Sequence, residues 1–96
     1  MVTATNKQKY YFYVLLCADQ TLYGGFTTDR KHRLAMHNSG RGARYTRTRR
    51  PVKMIYSEEY PTKSAALKAE YAFKHQPRRA KVTFLRQHGV IVPEKR

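Results

Sequence analysis

Acidic residues are scarce in this chain. Only 6 Asp and Glu stand against 20 Lys and Arg in 96 residues, a formal net charge of +14. Such a chain repels itself unless an anion offsets the charge, and nucleic acid is the commonest partner of that kind, ahead of an acidic membrane surface or acidic protein. There is one cysteine, Cys17, which excludes an intramolecular disulfide framework and suits a reducing compartment; a cytoplasmic, nucleoid-associated location is expected. Its place at the end of an apolar run reads as a buried thiol rather than a nucleophile. Without a second cysteine or a histidine pair at ligand spacing, no zinc site is expected. No apolar run approaches the ~18 residues of a membrane span. The polar opening MVTATNKQK has no hydrophobic stretch of the secretory kind, so no membrane partner is expected. No repeat, low-complexity tract or long linker divides the sequence. One domain is expected over residues 10–89, between tails at 1–9 and 90–96.

What the chain does contain is aromatic and ordered. Residues 10–17, YYFYVLLC, form an apolar, β-branched and aromatic run that reads as a buried strand. Ala18-Asp19-Gln20 supplies a turn, and Thr21–Phe26 returns as the second strand of a hairpin. Gly24 and Gly25 inside that strand mark a bulge or a close approach of another group. Thr27-Thr28-Asp29 offers N-cap residues for a helix through DRKHRLAMHN, which Ser39-Gly40 stops. RGARYTRTRRP then reads as a loop and VKMIYSEEY as a third strand. Thr62 caps a second helix through TKSAALKAEYAFKHQ, and Pro77 breaks it and starts a third, PRRAKVTFLRQH, ended by Gly89. The expected fold is α+β: a short three-stranded antiparallel sheet flanked by about three helices.

No acid lies between Asp29 and Glu58, while cations accumulate there. Solvated surfaces usually mix signs, and the planar fork of arginine matches phosphate oxygens, so backbone binding is the favoured reading over a solubilising loop. The nucleic-acid-binding candidates are Arg30, Lys31, Arg41, Arg44, Arg47, Arg49 and Arg50, with Tyr45 placed to stack on an unpaired base and Lys74 contributed from the second helix. Glu70 is the only acid between Glu59 and Glu94. On a helix it falls among Ala66, Leu67, Tyr71 and Phe73, where a carboxylate costs energy unless it is paired or binds metal. The pairing option is Lys74, four residues on. The metal option is one divalent ion, since a lone carboxylate excludes a cluster built from several acids. Arg33 and His37, four apart, share one helical face. Tyr13 and Tyr23 taken alone are core aromatics whose hydroxyls reach the surface.

In this order the residues resemble the GIY-YIG nuclease superfamily, over about residues 10–80. The likeness is strongest to its small single-domain bacterial members, which are similar to the nuclease domain of the eukaryotic branched-DNA endonuclease. The first motif corresponds to Tyr11-Phe12-Tyr13 and the second to Tyr23-Gly24-Gly25. The helix arginine falls on Arg33 within Arg33-Leu34-Ala35-Met36-His37-Asn38, and the metal-binding glutamate on Glu70 in ALKAEYAFKH. Tyr11 stands where the family has glycine and Gly24 where it has isoleucine. The asparagine that follows the glutamate in many members has no counterpart near His75 and Gln76.

The resemblance implies metal-dependent endonuclease hydrolysis of phosphodiesters, with DNA favoured, in a repair or recombination setting. Glu70 would hold one Mg²⁺ or Mn²⁺, Arg33 would neutralise phosphoryl charge, and Tyr13 would activate or orient water. Tyr23 and His37 would position water or phosphate, with the general base left open among Tyr13, Tyr23 and His37. Whether a protein partner supplies specificity is left open, the short chain having no separate recognition domain for that task. The second reading is a non-catalytic DNA- or RNA-binding module with the same fold, which needs the arginines but not the Tyr13, Tyr23, Arg33 and Glu70 set.

Overall fold

In a computed structural model that describes residues 8–93, the apolar run Tyr10–Leu16 is the middle strand, β1, of a three-stranded antiparallel sheet. Its neighbours are β2 (Leu22–Thr27) and β3 (Lys53–Tyr60), in the order β2-β1-β3. Four helices flank the sheet: α1 (Arg30–Asn38), α2 (Arg44–Arg47), α3 (Lys63–Lys74) and α4 (Arg78–Gln87).

Strand β1 is apolar throughout because both of its faces are covered, leaving no side for polar residues. Phe12 and Val14 pack with Leu22 of β2, Phe73 of α3 and Leu85 of α4. Tyr13, Leu15 and Cys17 point the other way, against Val52, Met54 and Leu34 of α1. Each such fully buried large side chain contributes roughly 2 kcal/mol. The caps act where the sequence places them: Asp29 accepts from the His32 amide and Thr62 from the Ala65 amide, both at 3.1 Å. Gly40 and Gly89 follow α1 and α4 with φ of 88° and 82°, a region that favours glycine.

Three details differ from the sequence expectation. The stretch 41–51, expected to be a loop, contains the one-turn helix α2, so the sheet has four flanking helices rather than about three. Four residues are too few to show a helical period. What fixes this turn is Thr46, fully buried, whose hydroxyl donates to the Ala43 carbonyl at 3.1 Å. The second difference is at residue 90, where a tail was expected to begin. Val90 and Val92 pack on the α3–α4 side of the core, and the Val90 amide donates to the Leu85 carbonyl at 2.8 Å. The expected tail segments 1–7 and 94–96 lie outside the described residues.

The third concerns Gly24 and Gly25. They make no bulge, since β1 and β2 pair in unbroken register from Tyr11↔Thr27 to Leu16↔Leu22. The close-approach alternative holds instead. A Cβ at Gly24 would stand 3.0 Å from the Phe73 ring, so α3 lies hard against β2. A Cβ at Gly25 would overlap the ring and hydroxyl of Tyr13, its cross-strand partner. Asn38, at the end of α1, donates to the Val52 carbonyl at 3.0 Å and accepts from the Val52 amide at 2.8 Å, which ties α1 to the entry of β3.

Tyr13 is buried on all sides and cannot swing away from an added methyl. Gly25→Ala should therefore lower the unfolding free energy by ~1–3 kcal/mol in urea denaturation. A midpoint equal to that of the wild type would contradict the packing described.

Candidate active site

Tyr13 enters from the middle strand, and its hydroxyl meets the His37 ring of α1 at Nε2, 2.8 Å away. The other ring nitrogen, Nδ1, is 2.8 Å from the Thr46 hydroxyl of α2. Both His37 and Thr46 are fully buried. The protons of this chain follow from its end. The Ala43 carbonyl can only accept, so the Thr46 O–H donates to it and the Thr46 oxygen accepts from His37 Nδ1–H. His37 Nε2 is then the unprotonated nitrogen, and the Tyr13 O–H donates to it. Glycine at position 42 is required by the same packing, because a Cβ there would run into the His37 ring.

Burial pushes the Tyr13 phenol up to about 12, against the opposing pull of Arg33, whose guanidinium bears on the hydroxyl; the charges of Tyr23 and Glu70 act on it as well. Burial, then the Arg33 charge, holds the His37 imidazole below its usual pKa, so both members of the pair are neutral near pH 7. The Tyr23 ring stands edge-on to His37 with centroids 5.4 Å apart. Lys74 Nζ lies 5.3 Å from the Tyr23 ring centroid and 3.4 Å from Glu70 Oε2. Tyr13, Tyr23, Arg33, His37 and Glu70 are thus brought together from β1, β2, α1 and α3. The glycines of β2 allow this: with no side chain at Gly24, α3 sits close enough to present Glu70 and Lys74 at the sheet edge.

Glu70 is half-buried, its side chain 20% exposed, and it takes the ion pair to Lys74 that the four-residue spacing predicts. Among the described residues no group of three or more His, Cys, Asp or Glu could hold a metal. The donor set nevertheless fits one hard divalent ion of the magnesium type, which uses one or two carboxylates and fills its remaining positions with water and phosphate oxygen. Arg33 Nε is buried with no hydrogen-bond partner, a donor waiting for an acceptor at the same place.

The nucleic-acid-binding candidates divide. Arg30 lies 4.2 Å over the Tyr11 ring and donates to Ser57 Oγ at 2.9 Å. Arg49 donates to Asp19 at 3.0 Å and to the Tyr45 carbonyl at 2.7 Å, and Arg50 donates to the Arg47 carbonyl at 2.8 Å. Tyr45 is stacked on Tyr23 and covered by the Arg49 guanidinium at 3.9 Å, so its ring already has protein partners. Lys31, Arg41, Arg44 and Arg47 are exposed, and among the described residues their side chains make no hydrogen bond or ion pair. Thr46 and Gly42 escape a reading of the sequence. Nothing in ARYTRTRR separates Thr46 from Thr48, and a glycine between Arg41 and Ala43 looks like an ordinary loop residue.

Residues 9–83 match the family model described as the GIY-YIG catalytic domain. A UPF0213 protein of Lactiplantibacillus plantarum is 62% identical over 92 residues, covering 94% of this chain and 91% of the relative. A UPF0213 protein from the ldhD 5′ region of Pediococcus acidilactici is 52% identical, covering 93% of each. Among solved structures, the solution structure of an E. faecalis protein is 50% identical with a TM-score of 0.60, covering 88% of this chain and 90% of that one. The solution structure of a UPF0213 protein from Bacillus halodurans is 39% identical with a TM-score of 0.57, covering 82% and 84%.

The depressed pKa of His37 links folding to pH. Below the unfolded value of 6.5 the unfolded chain binds a proton that the folded one refuses. The stability from neutral His37 is therefore complete above that pH and is lost as pH falls from it toward the folded pKa, by at most about 1.4 kcal/mol per pH unit. Urea titrations of wild type and His37→Gln across this window should show the steeper loss only in the wild type. Parallel curves would mean that His37 titrates normally.

Proposed function

Because the chain belongs to the GIY-YIG family, a nuclease-type catalytic domain, we propose that it hydrolyses nucleic-acid phosphodiesters as a metal-dependent endonuclease. DNA is the favoured substrate, in a repair or recombination setting at the nucleoid. The observation that carries this reading is the directed Tyr13–His37 hydrogen bond of 2.8 Å, at a hydroxyl on which Arg33 and Glu70 also act. A binding module would need that bond only to satisfy the buried imidazole, and has no need of Arg33 and Glu70 at the same hydroxyl.

Tyr13 is too weak an acid to ionise unaided, since its pKa stands at about 12. It does not need to. A water admitted to the Tyr13 oxygen as substrate binds gives it a proton while the Tyr13 proton passes to His37 Nε2, and the hydroxide so formed adds to phosphorus while the P–O bond to the leaving strand breaks. The resulting imidazolium keeps both donors satisfied, Nδ1–H on Thr46 and Nε2–H on Tyr13. Its proton then passes back through Tyr13 to solvent or the leaving oxygen. Arg33 supplies fixed positive charge to the phosphoryl oxygens, with its buried Nε as one ready donor. Tyr23, packed against His37, holds the imidazole in place and borders the phosphate. Glu70 would hold the divalent ion, which when bound supplies Lewis-acid stabilisation of the phosphoryl charge. Exposed Lys31, Arg41, Arg44 and Arg47 attract the backbone without reading sequence, so substrate choice rests on nucleic-acid structure or on a protein partner.

One observation favours the non-catalytic alternative: Glu70 is already neutralised by Lys74. Cleavage of labelled branched, flapped, duplex and single-stranded substrates with Mg²⁺, Mn²⁺ or EDTA decides between the two. Tyr13→Phe should slow cleavage by ~10²–10⁴-fold without weakening binding, and Glu70→Ala should do so by orders of magnitude. Unimpaired cleavage by Glu70→Ala would make Glu70 a structural partner of Lys74. A wild type that cuts nothing with either ion would leave the binding module.

A further inference from the structure

Beside the reaction centre, where α3 gives way to α4, three cations crowd together with too few acids to balance them. Lys74 stands between Glu70 and the Tyr23 ring. Lys81 is half-buried, its ammonium 5.5 Å from the centroid of the Phe73 ring. Arg78, one turn earlier on α4, is pinned to the β1–β2 turn by its bond to the Gln20 carbonyl at 2.8 Å. A lysine that serves only solubility extends its head into water, whereas burial and then the like charges of Lys74 and Arg78 hold the Lys81 ammonium below its usual pKa. The first turn of α4 contains no acid, and the one nearby carboxylate identified on α3, Glu70, is taken by Lys74. Among the described residues neither Arg78 nor Lys81 has an ion-pair partner. Like charges held together, two of them (Arg78 and Lys81) at partly buried positions, raise the energy of the free protein, and an anion between them lowers it.

We propose that Lys74, Arg78 and Lys81 form a second phosphate site that takes a phosphodiester of the bound strand next to the one at Tyr13 and Glu70. This rests on the nuclease reading above and extends it: the strand runs from the free arginines of α2, past Tyr23, onto the α3–α4 junction. The site touches backbone only and adds affinity and register without base preference.

The test is binding of fluorescent single-stranded and duplex DNA, by anisotropy over a salt series with EDTA present, so that the readout is independent of cleavage. Lys81→Gln should flatten the line of log affinity against log salt by ~0.7 for single strands or ~0.9 for duplex, one phosphate contact. Lys81→Arg should restore it. Arg86→Gln, on the same helix but about 140° around, should leave the slope at the wild-type value. Without DNA, Lys81→Gln should melt at or above the wild-type temperature, because it removes a like charge. Equal slopes for Lys81→Gln and wild type overturn the site, as does a lower melting temperature with an unchanged slope, which would assign Lys81 to packing. A flattened slope in a protein that cuts nothing upholds the site and removes only the nuclease reading. A wild type that cleaves with an unaltered Lys81→Gln slope removes only the site.

Discussion

The imidazole of His37 has no water to turn to, so its two nitrogens must be satisfied from within, by Tyr13 of β1 and Thr46 of α2. A buried polar atom left without a partner costs ~1–3 kcal/mol, and this chain of bonds therefore holds β1, α1 and α2 in one fixed relation. Its direction is fixed as well. Because it ends on the Ala43 carbonyl, the Tyr13 proton points at His37 and a basic nitrogen faces the phenol. Gly25 and Gly42 are the empty spaces that admit the two rings, one over β2 and the other beneath the α1–α2 connection. The proposed acid–base chemistry is thus a consequence of how the core is packed rather than an addition to it.

The excess of positive charge has a separate logic. Among the described residues only Asp19–Arg49 and Glu70–Lys74 are ion pairs, and exposed pairs contribute little to stability. Stability comes from the double-faced burial of β1, and the cations are mostly surplus to it. Some are used as clamps: Arg30 braces Tyr11 and Ser57, while Arg49 and Arg50 hold the α2 segment against the hairpin turn and the end of α1. Others, among them Arg44 and Arg47 of α2 and Lys81 of α4, have no ion-pair partner among the described residues, as the proposed binding of a polyanion requires.

Strands and long helices were legible in the sequence because their signals are local: the apolar run of YYFYVLLC, the caps Asp29 and Thr62, the stops at Gly40 and Gly89. The meeting of Arg33 and His37 on one face followed from spacing alone. What was not legible depends on contacts between distant segments. Whether Gly24 and Gly25 make a bulge or admit a neighbour is decided by Phe73 and Tyr13, and only the fold shows which. Thr46 looks like any threonine among arginines until His37 is placed nine residues away in sequence and 2.8 Å away in space. Composition equally cannot say that Arg49 and Arg50 are spent on carbonyls and Asp19 while Arg44 and Arg47 are free.

The most direct test of this account is the protonation state of His37 itself. Nitrogen NMR of ring-labelled protein reads both the tautomer and the charge. The hydrogen-bond chain requires a neutral ring at pH 7 with the proton on Nδ1, and it requires Thr46→Val to weaken that preference while leaving Tyr13 in place. A ring protonated on Nε2, or an imidazolium at pH 7, would contradict it, because Tyr13 would then face a donor and have nowhere to send its proton.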